Sequence, residues 1–200
     1  IHLVTDWVII TEEVTISGAG RGTTFVQRCG FLIQGKKGKK CTLMDFTVQK
    51  TENSGLCGYD GMSFDCLRMH FDQCGGTARL RFGGGAPGVF AYDTKGRLTN
   101  CQITQSYVSG VYISSDCTIE IEGEETMIEK NNTSGRSDQY GLSAYDSSSS
   151  IHILSPLTKE SISKNNGPTN IVITSTGRVA IIIMVSGFKY GSIRNLLENH

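Results

Sequence analysis

Along most of this chain apolar and polar residues alternate with a period of two, in short runs. Val111 with Ile113 and Leu142 with Ala144 show the spacing. That period belongs to a strand with one buried face. A strand of only a few residues cannot bury such a face alone, so it needs stacked neighbours. From Gly88 to Asn166 the pattern recurs as a unit: GVFAYD at Gly88–Asp93, GVYISSD at Gly110–Asp116 and GLSAYD at Gly141–Asp146. Each copy is followed by a second alternation, at Leu98 to Ile103, Ile119 with Ile121, and Ile151 with Ile153. The starts lie 22 and 31 residues apart. Constant strand grammar with variable spacing is the mark of a solenoid, whose turns absorb insertions in loops. Only the C-terminal end keeps apolar residues at helical spacing, so helical repeats are excluded.

The same reading places strands along the rest of the chain. Val8–Ile10 and Val14–Ile16 come first, parted by the acidic turn Glu12–Glu13. Gly18–Gly22 begins like a dinucleotide-binding loop, but β-branched and aromatic residues follow where a helix would have to, so it reads as a corner. Phe31 and Ile33 form the next strand, Lys36–Lys40 a solvated basic loop, and Leu43–Val48 a further strand region. Gln49–Asp60 reads as a loop, with the next strand at Met62–Phe64 leading to Leu67, Met69 and Phe71. Ala78–Phe82 alternates again, with Leu80 and Phe82 inward. Beyond Ile171–Thr174, the run Val179–Val185 is apolar on both faces, as expected of a strand covered on both sides or touching something outside this stretch. Ser192 can cap a short amphipathic helix through Ile193, Leu196, Leu197 and His200 that plugs the end of the stack.

Several of these stretches carry a resemblance. VTISGAGRGTTFV at Val14–Val26, CTLMDFTV at Cys41–Val48, GMSFDCLRMHFDQCGG at Gly61–Gly76 and the central repeats resemble the right-handed parallel β-helix proteins of the pectin-lyase-like superfamily. The resemblance covers nearly the whole chain. It implies an all-β, right-handed parallel β-helix solenoid forming one domain over 1–200, with a short C-terminal capping helix. About eight turns of about 25 residues are expected, as an excerpt of a longer chain, with Val89, Val111 and Leu142 pointing into one core. In that superfamily, lyases hold calcium on carboxylates while a basic residue removes a sugar proton, and hydrolases use paired Asp. One fold hosts many functions, so the resemblance bears on architecture more than on activity.

Charge and cysteine content narrow the partners. Lys plus Arg and Asp plus Glu are 19 each, so no net field attracts nucleic acid. The longest apolar run has seven residues, far short of the roughly 18 of a membrane span. Seven cysteines without CxxC spacing indicate buried thiols rather than a disulfide framework or a zinc site. No signal segment is visible at Ile1, and an extracellular or surface location is favoured on the resemblance. Asn131 and Asn132 each begin a glycosylation pattern, but the preferred reading makes Asn131 and Asn165 equivalent corner residues that bond their neighbours.

Candidate chemistry gathers near the ends of strands. Asp65, Asp93, Asp116 and Asp146 each follow or end a first strand. Stacked about 4.8 Å apart they would form a ladder able to recruit a cation such as calcium. The alternative is that Asp suits the bend leaving a strand. Arg79, Arg81 and Arg97 lie near the turns that carry Asp65 and Asp93; they are the candidate bases, and even without catalysis could grip a uronate carboxylate. Tyr92, Tyr112 and Tyr145 beside the same strands could stack on sugar rings, or be ordinary outer-face residues. His70 and His152 alternate with buried positions and should face outward. The superfamily's hydrolase motifs, Asn-Thr-Asp, Asp-Asp and Gly-His-Gly, do not occur. Three functions follow: a non-catalytic module binding a polysaccharide or protein along a strand face, or serving as a rigid scaffold; a polysaccharide lyase, epimerase or hydrolase; and a structural repeat of a surface or virion assembly. Without a catalytic motif, the first is favoured.

Overall fold

The computed structural model describes residues 7–76, 85–166, 171–173 and 178–182. It is a parallel β-helix in which each turn contributes a strand to three sheets. Sheet 1 stacks Val8–Ile10, Phe31–Gln34, Leu56–Tyr59, Val89–Tyr92, Val111–Ser114, Leu142–Ala144 and Ile171–Ile173 in that order. Sheet 2 stacks Val14–Ser17, Lys40–Met44, Ser63–Leu67, Lys95–Thr99, Thr118–Glu122, Ser150–Leu154 and Arg178–Ile182. Sheet 3 stacks Phe25–Gln27, Thr47–Gln49, His70–Asp72, Gln102–Thr104, Met127–Glu129 and Ser163–Lys164. All pairings are parallel, each strand bonding the equivalent strand of the turns before and after it. Seven rungs are thus described in sheet 1, against the eight turns expected.

Stacking in register places one residue type above another, and the core is built of such columns. Val89, Val111 and Leu142 are register partners and fully buried, as their repeat predicts. In sheet 2 the column Leu43, Cys66, Leu98, Ile121 and Ile153 is likewise sealed. Val48, Phe71, Ile103 and Ile128 do the same in sheet 3. Phe64 joins two walls of this core. A Cβ at Gly58 in sheet 1 would lie 2.6 Å from its ring, and one at Gly96 in sheet 2 would lie 2.3 Å from it. Both positions must therefore be glycine for the ring to fit.

The chain turns between sheets through one or two residues in the left-handed region. Asp45, Arg68 and Asn100 do so between sheets 2 and 3, and Lys50, Gln73, Gln105, Lys130 and Asn165 between sheets 3 and 1. Asp60, Asp93 and Ser115 do so between sheets 1 and 2. Asn and Asp tolerate this geometry, whereas the lysines and glutamines hold it because the ladders on both sides fix them.

Three expectations are corrected here. Leu56–Tyr59, inside the expected loop Gln49–Asp60, is the sheet 1 strand of its turn, with Leu56 opposite Val89 and Tyr59 opposite Tyr92. The strand placed at Met62–Phe64 is the next one, Ser63–Leu67, in sheet 2. Gly58 broke the apolar alternation, and its reason is the space taken by the Phe64 ring. The Asn pairs are offset by one residue: Asn165 corresponds to Lys130, and Asn131 corresponds to Asn166. Asn131 and Asn166 point inward as a buried ladder. The Asn131 amide nitrogen donates to Ile103 O (3.0 Å) and Asn166 Oδ1 (2.9 Å), and the Asn166 amide nitrogen donates to Ile128 O (2.7 Å). Asn132 is also buried, donating to Arg136 O, so neither glycosylation pattern presents an accessible amide.

A four-residue helix, Lys159–Ile162, fills the corner between sheets 2 and 3 and buries Ile162. Thr158 caps it, accepting from Ser161 N–H while Ser161 Oγ accepts from Thr158 N–H. The expected closing helix from Ser192 to His200, the Ala78–Phe82 alternation and residues 183–185 lie outside the described residues.

Candidate functional site

The outer faces of the sheets differ in chemistry. In sheet 1 five outward positions of the third to sixth rungs are aromatic, set among Cys57, Ser114 and Ser143. Tyr59 and Tyr92, register partners, stack with centroids 4.9 Å apart and planes 20° apart. Phe90 and Tyr112, also partners, stack at 5.8 Å and 18°. Tyr112 then meets Tyr145 of the next rung at 6.1 Å and 31°. The pitch of the ladder, about 4.8 Å, sets this near-contact separation. Together the rings form a strip across four turns in which Tyr59, Tyr92 and Tyr112 are half-buried, Phe90 is buried and Tyr145 is 59% exposed. Burial first, then the nearby Tyr145 and Asp146, push the Tyr112 phenol up to about 12, so it keeps its proton at neutral pH.

Carboxylates border this strip where sheet 1 bends into sheet 2. Asp60 and Asp93 follow Tyr59 and Tyr92 at one register position, and both are exposed with positive φ. Asp146 takes the same position in its turn. In the fifth turn Ser115 stands there, and Asp116 is one residue further on. Asp146 is tied down: Ser115 N–H donates to its Oδ2 (2.5 Å), and Ser148 N–H (3.1 Å) and Oγ–H (2.6 Å) donate to its Oδ1. Burial pushes its carboxyl up, but these donors and Ser149 together hold it below the usual range. Asp thus serves the bend at this corner, and among the described residues no group of three or more His, Cys, Asp and Glu side chains converges to hold a metal ion.

The remaining sequence candidates fall elsewhere. Asp65 does not belong to the Asp93 position; it lies on the outer face of sheet 2, opposite Arg97. Asp60 takes the place assigned to it, because the sheet 1 strand of that turn is Leu56–Tyr59. On sheet 2 Lys40 Nζ donates to Asp65 Oδ2 (2.7 Å), and Arg97 donates from Nε (2.9 Å) and Nη2 (2.5 Å) to Glu120 Oε2. The Glu120 hydrogen bond is the largest cause raising the Arg97 pKa above its ordinary value. This face is an ion-paired ladder with its charges already answered, and Arg97 is part of it rather than of the aromatic strip. Arg79 and Arg81 lie outside the described residues.

Sequence reasoning missed Tyr59, Asp60 and Phe90. The signal was present, since GLCGYD at Gly55–Asp60 matches GVFAYD at Gly88–Asp93. His70 and His152 stand on outward columns as expected. His70 Nε2 bonds Thr104 Oγ1 (2.9 Å), which donates to Asp72 Oδ1 (2.7 Å) on sheet 3. His152 lies opposite Glu120 on sheet 2. All seven cysteines are reduced and buried. Among the described residues no helix is long and apolar enough to cross a membrane. Comparison with family profiles, curated proteins and solved structures gives no match.

Proposed function

We propose that this chain is a non-catalytic β-helix module that binds a glycan along the outer face of sheet 1. The supporting observation is the aromatic strip Tyr59, Tyr92, Phe90, Tyr112 and Tyr145, whose rings repeat at the pitch of the turns. Sugar rings present apolar C–H faces that pack on aromatic rings, here the exposed Tyr145 and the edges of the half-buried Tyr59, Tyr92 and Tyr112, and a rigid ladder holds these at little entropic cost. The turn-by-turn resemblance to the pectin-lyase-like superfamily favours a polysaccharide over other polymers, as an argument from fold alone. Catalysis of the superfamily's kinds requires a proton acceptor and a charge stabiliser within reach of one sugar atom. Beside this strip the Asp146 carboxylate is occupied by backbone and serine donors, and Arg97 is turned to Glu120 on another face.

The test is affinity electrophoresis of the purified chain through gels containing a panel of neutral, acidic and amino polysaccharides, run beside an absorbance assay for unsaturated uronate and a reducing-end assay. Retardation by at least one polymer without turnover, lost in Tyr112→Ala, is the expected result. Turnover would replace the module by an enzyme. No retardation by any polymer would remove the glycan reading and leave a scaffold or assembly role.

A further inference from the structure

Resting on that glycan reading, we propose that the strip selects sugars bearing free amines and refuses uronates, so that its ligand is an amino-sugar polymer. The outward positions of sheet 1 that carry the strip are aromatic, aliphatic, hydroxyl, thiol or amide side chains, with no cation among them. The border along Tyr92, Tyr112 and Tyr145 carries the exposed Asp93 and Asp116, together with Asp146. One cation, Lys95, begins the adjoining sheet 2 strand. The arginine that could have received a uronate, Arg97, donates both Nε and Nη2 to Glu120. Lys36 and Lys37 stand at the corner beside Gly61, toward the Tyr59 end and next to the exposed Asp60, so the border runs from mixed charge there to acidic around Tyr112 and Tyr145.

These two features act in the same direction on an amine and in opposite directions on a uronate. A protonated amine gains from the negative face of the exposed Tyr145 ring and from the carboxylates along the border. A uronate can pack its ring on the tyrosines but brings its charge against Asp93 and Asp116. The discrimination is electrostatic and at the surface, so it weakens as salt is added.

The experiment measures dissociation constants by calorimetry for three probes of equal length: an N-acetylglucosamine oligomer, its deacetylated counterpart and an oligogalacturonate. At low salt the deacetylated oligomer should bind about fivefold or more tighter than the acetylated one, and the oligogalacturonate most weakly of the three. Asp93→Asn with Asp116→Asn, both tolerant of positive φ, should bring the ratio of the two glucosamine oligomers close to one. Tyr112→Ala should weaken both oligomers. Binding of the oligogalacturonate as tight as that of the deacetylated oligomer would overturn the proposal, as would a ratio unmoved by the double variant. Equal displacement of the bound oligomer by a lysine homopolymer would also overturn it, since charge alone would then suffice. Tyr112-dependent binding of the acetylated oligomer with no preference for the amine would defeat this inference and leave the glycan module standing, whereas failure of every sugar to bind would defeat both.

Discussion

Sheets 1 and 2 share a pitch, a core and the same number of described rungs, seven each, yet their outer faces do opposite things. On sheet 2 outward polar side chains find complements on neighbouring rungs: Lys40 meets Asp65, Arg97 meets Glu120, and Thr99 Oγ1 donates to Glu122 (2.8 Å). On sheet 1 each outward ring finds another ring. A ladder of complementary charges closes on itself, and little is gained by a ligand that must break those pairs. Phe90 is covered, but the half-buried Tyr59, Tyr92 and Tyr112 and, at the last rung, the exposed Tyr145 stay within reach while remaining rigid. Identical backbone spacing therefore produces a sealed wall or a platform according to whether vertical neighbours are opposites or likes.

That contrast can be broken or sharpened in graded steps. The largest effect should come from Phe64→Ala, which empties the space that Gly58 and Gly96 leave open and undermines both faces at once. A loss of about 3–5 kcal/mol in urea unfolding is expected. Gly96→Ala in the native background should also destabilise, and adding it to Phe64→Ala should recover part of the loss. Asn166→Ala comes next. It leaves the Asn131 amide and Ile128 O without their partner in a buried ladder, and about 2 kcal/mol should be lost by the same measurement.

Smaller effects separate the two faces. His70 on sheet 3 is a control that belongs to neither. Burial holds its pKa below the ordinary value, with Asp72 opposing that shift and Arg21 adding to it. The fold therefore favours neutral imidazole. The His70 contribution is intact above the unfolded value of about 6.5 and is lost as pH falls through that value toward the lower folded one. Melting temperature measured from pH 7.5 down to about 5 should fall more steeply for the native chain than for His70→Gln. The smallest effect is expected from Arg97→Ala. Its ion pair with Glu120 is at the surface, so stability should change by under about 1 kcal/mol and polysaccharide retention should not change. Loss of retention in that variant would mean that the ligand lies on sheet 2 and that the contrast between the faces is misassigned.

Much of this architecture was legible because a parallel stack imposes one requirement on every rung. Inward residues at Val89, Val111 and Leu142 had to be apolar, and their repetition exposed the period. Where the requirement was met differently, the sequence misled. Gly58 sits at the position that Ala91 and Ile113 fill elsewhere, so Leu56–Tyr59 resembled a loop. Asn131 and Asn165 looked equivalent because Asn suits a left-handed corner, but Lys130 holds that corner in its turn and Asn131 points inward. The aromatic strip was half legible: Tyr92, Tyr112 and Tyr145 stood out, while their partners Tyr59 and Phe90 depended on a register that only the ladder fixes. Arg21 had no signal at all. Its guanidinium donates to Asn100 O (3.0 Å) and to Glu125 (2.7 Å), tying an early corner to turns far along the chain.

The sealed thiols carry a further consequence. Burial pushes Cys41 up to about 11, and Cys57, Cys74, Cys101 and Cys117 up to about 12, so the folded chain holds them as unreactive thiols. They are spread from the second rung to the fifth. A thiol-specific reagent can reach the core-facing Cys41, Cys74, Cys101 and Cys117 only when their own rungs come apart, so the succession of these labelled positions, read by mass spectrometry, is a clock of how the coil unwinds and from which end.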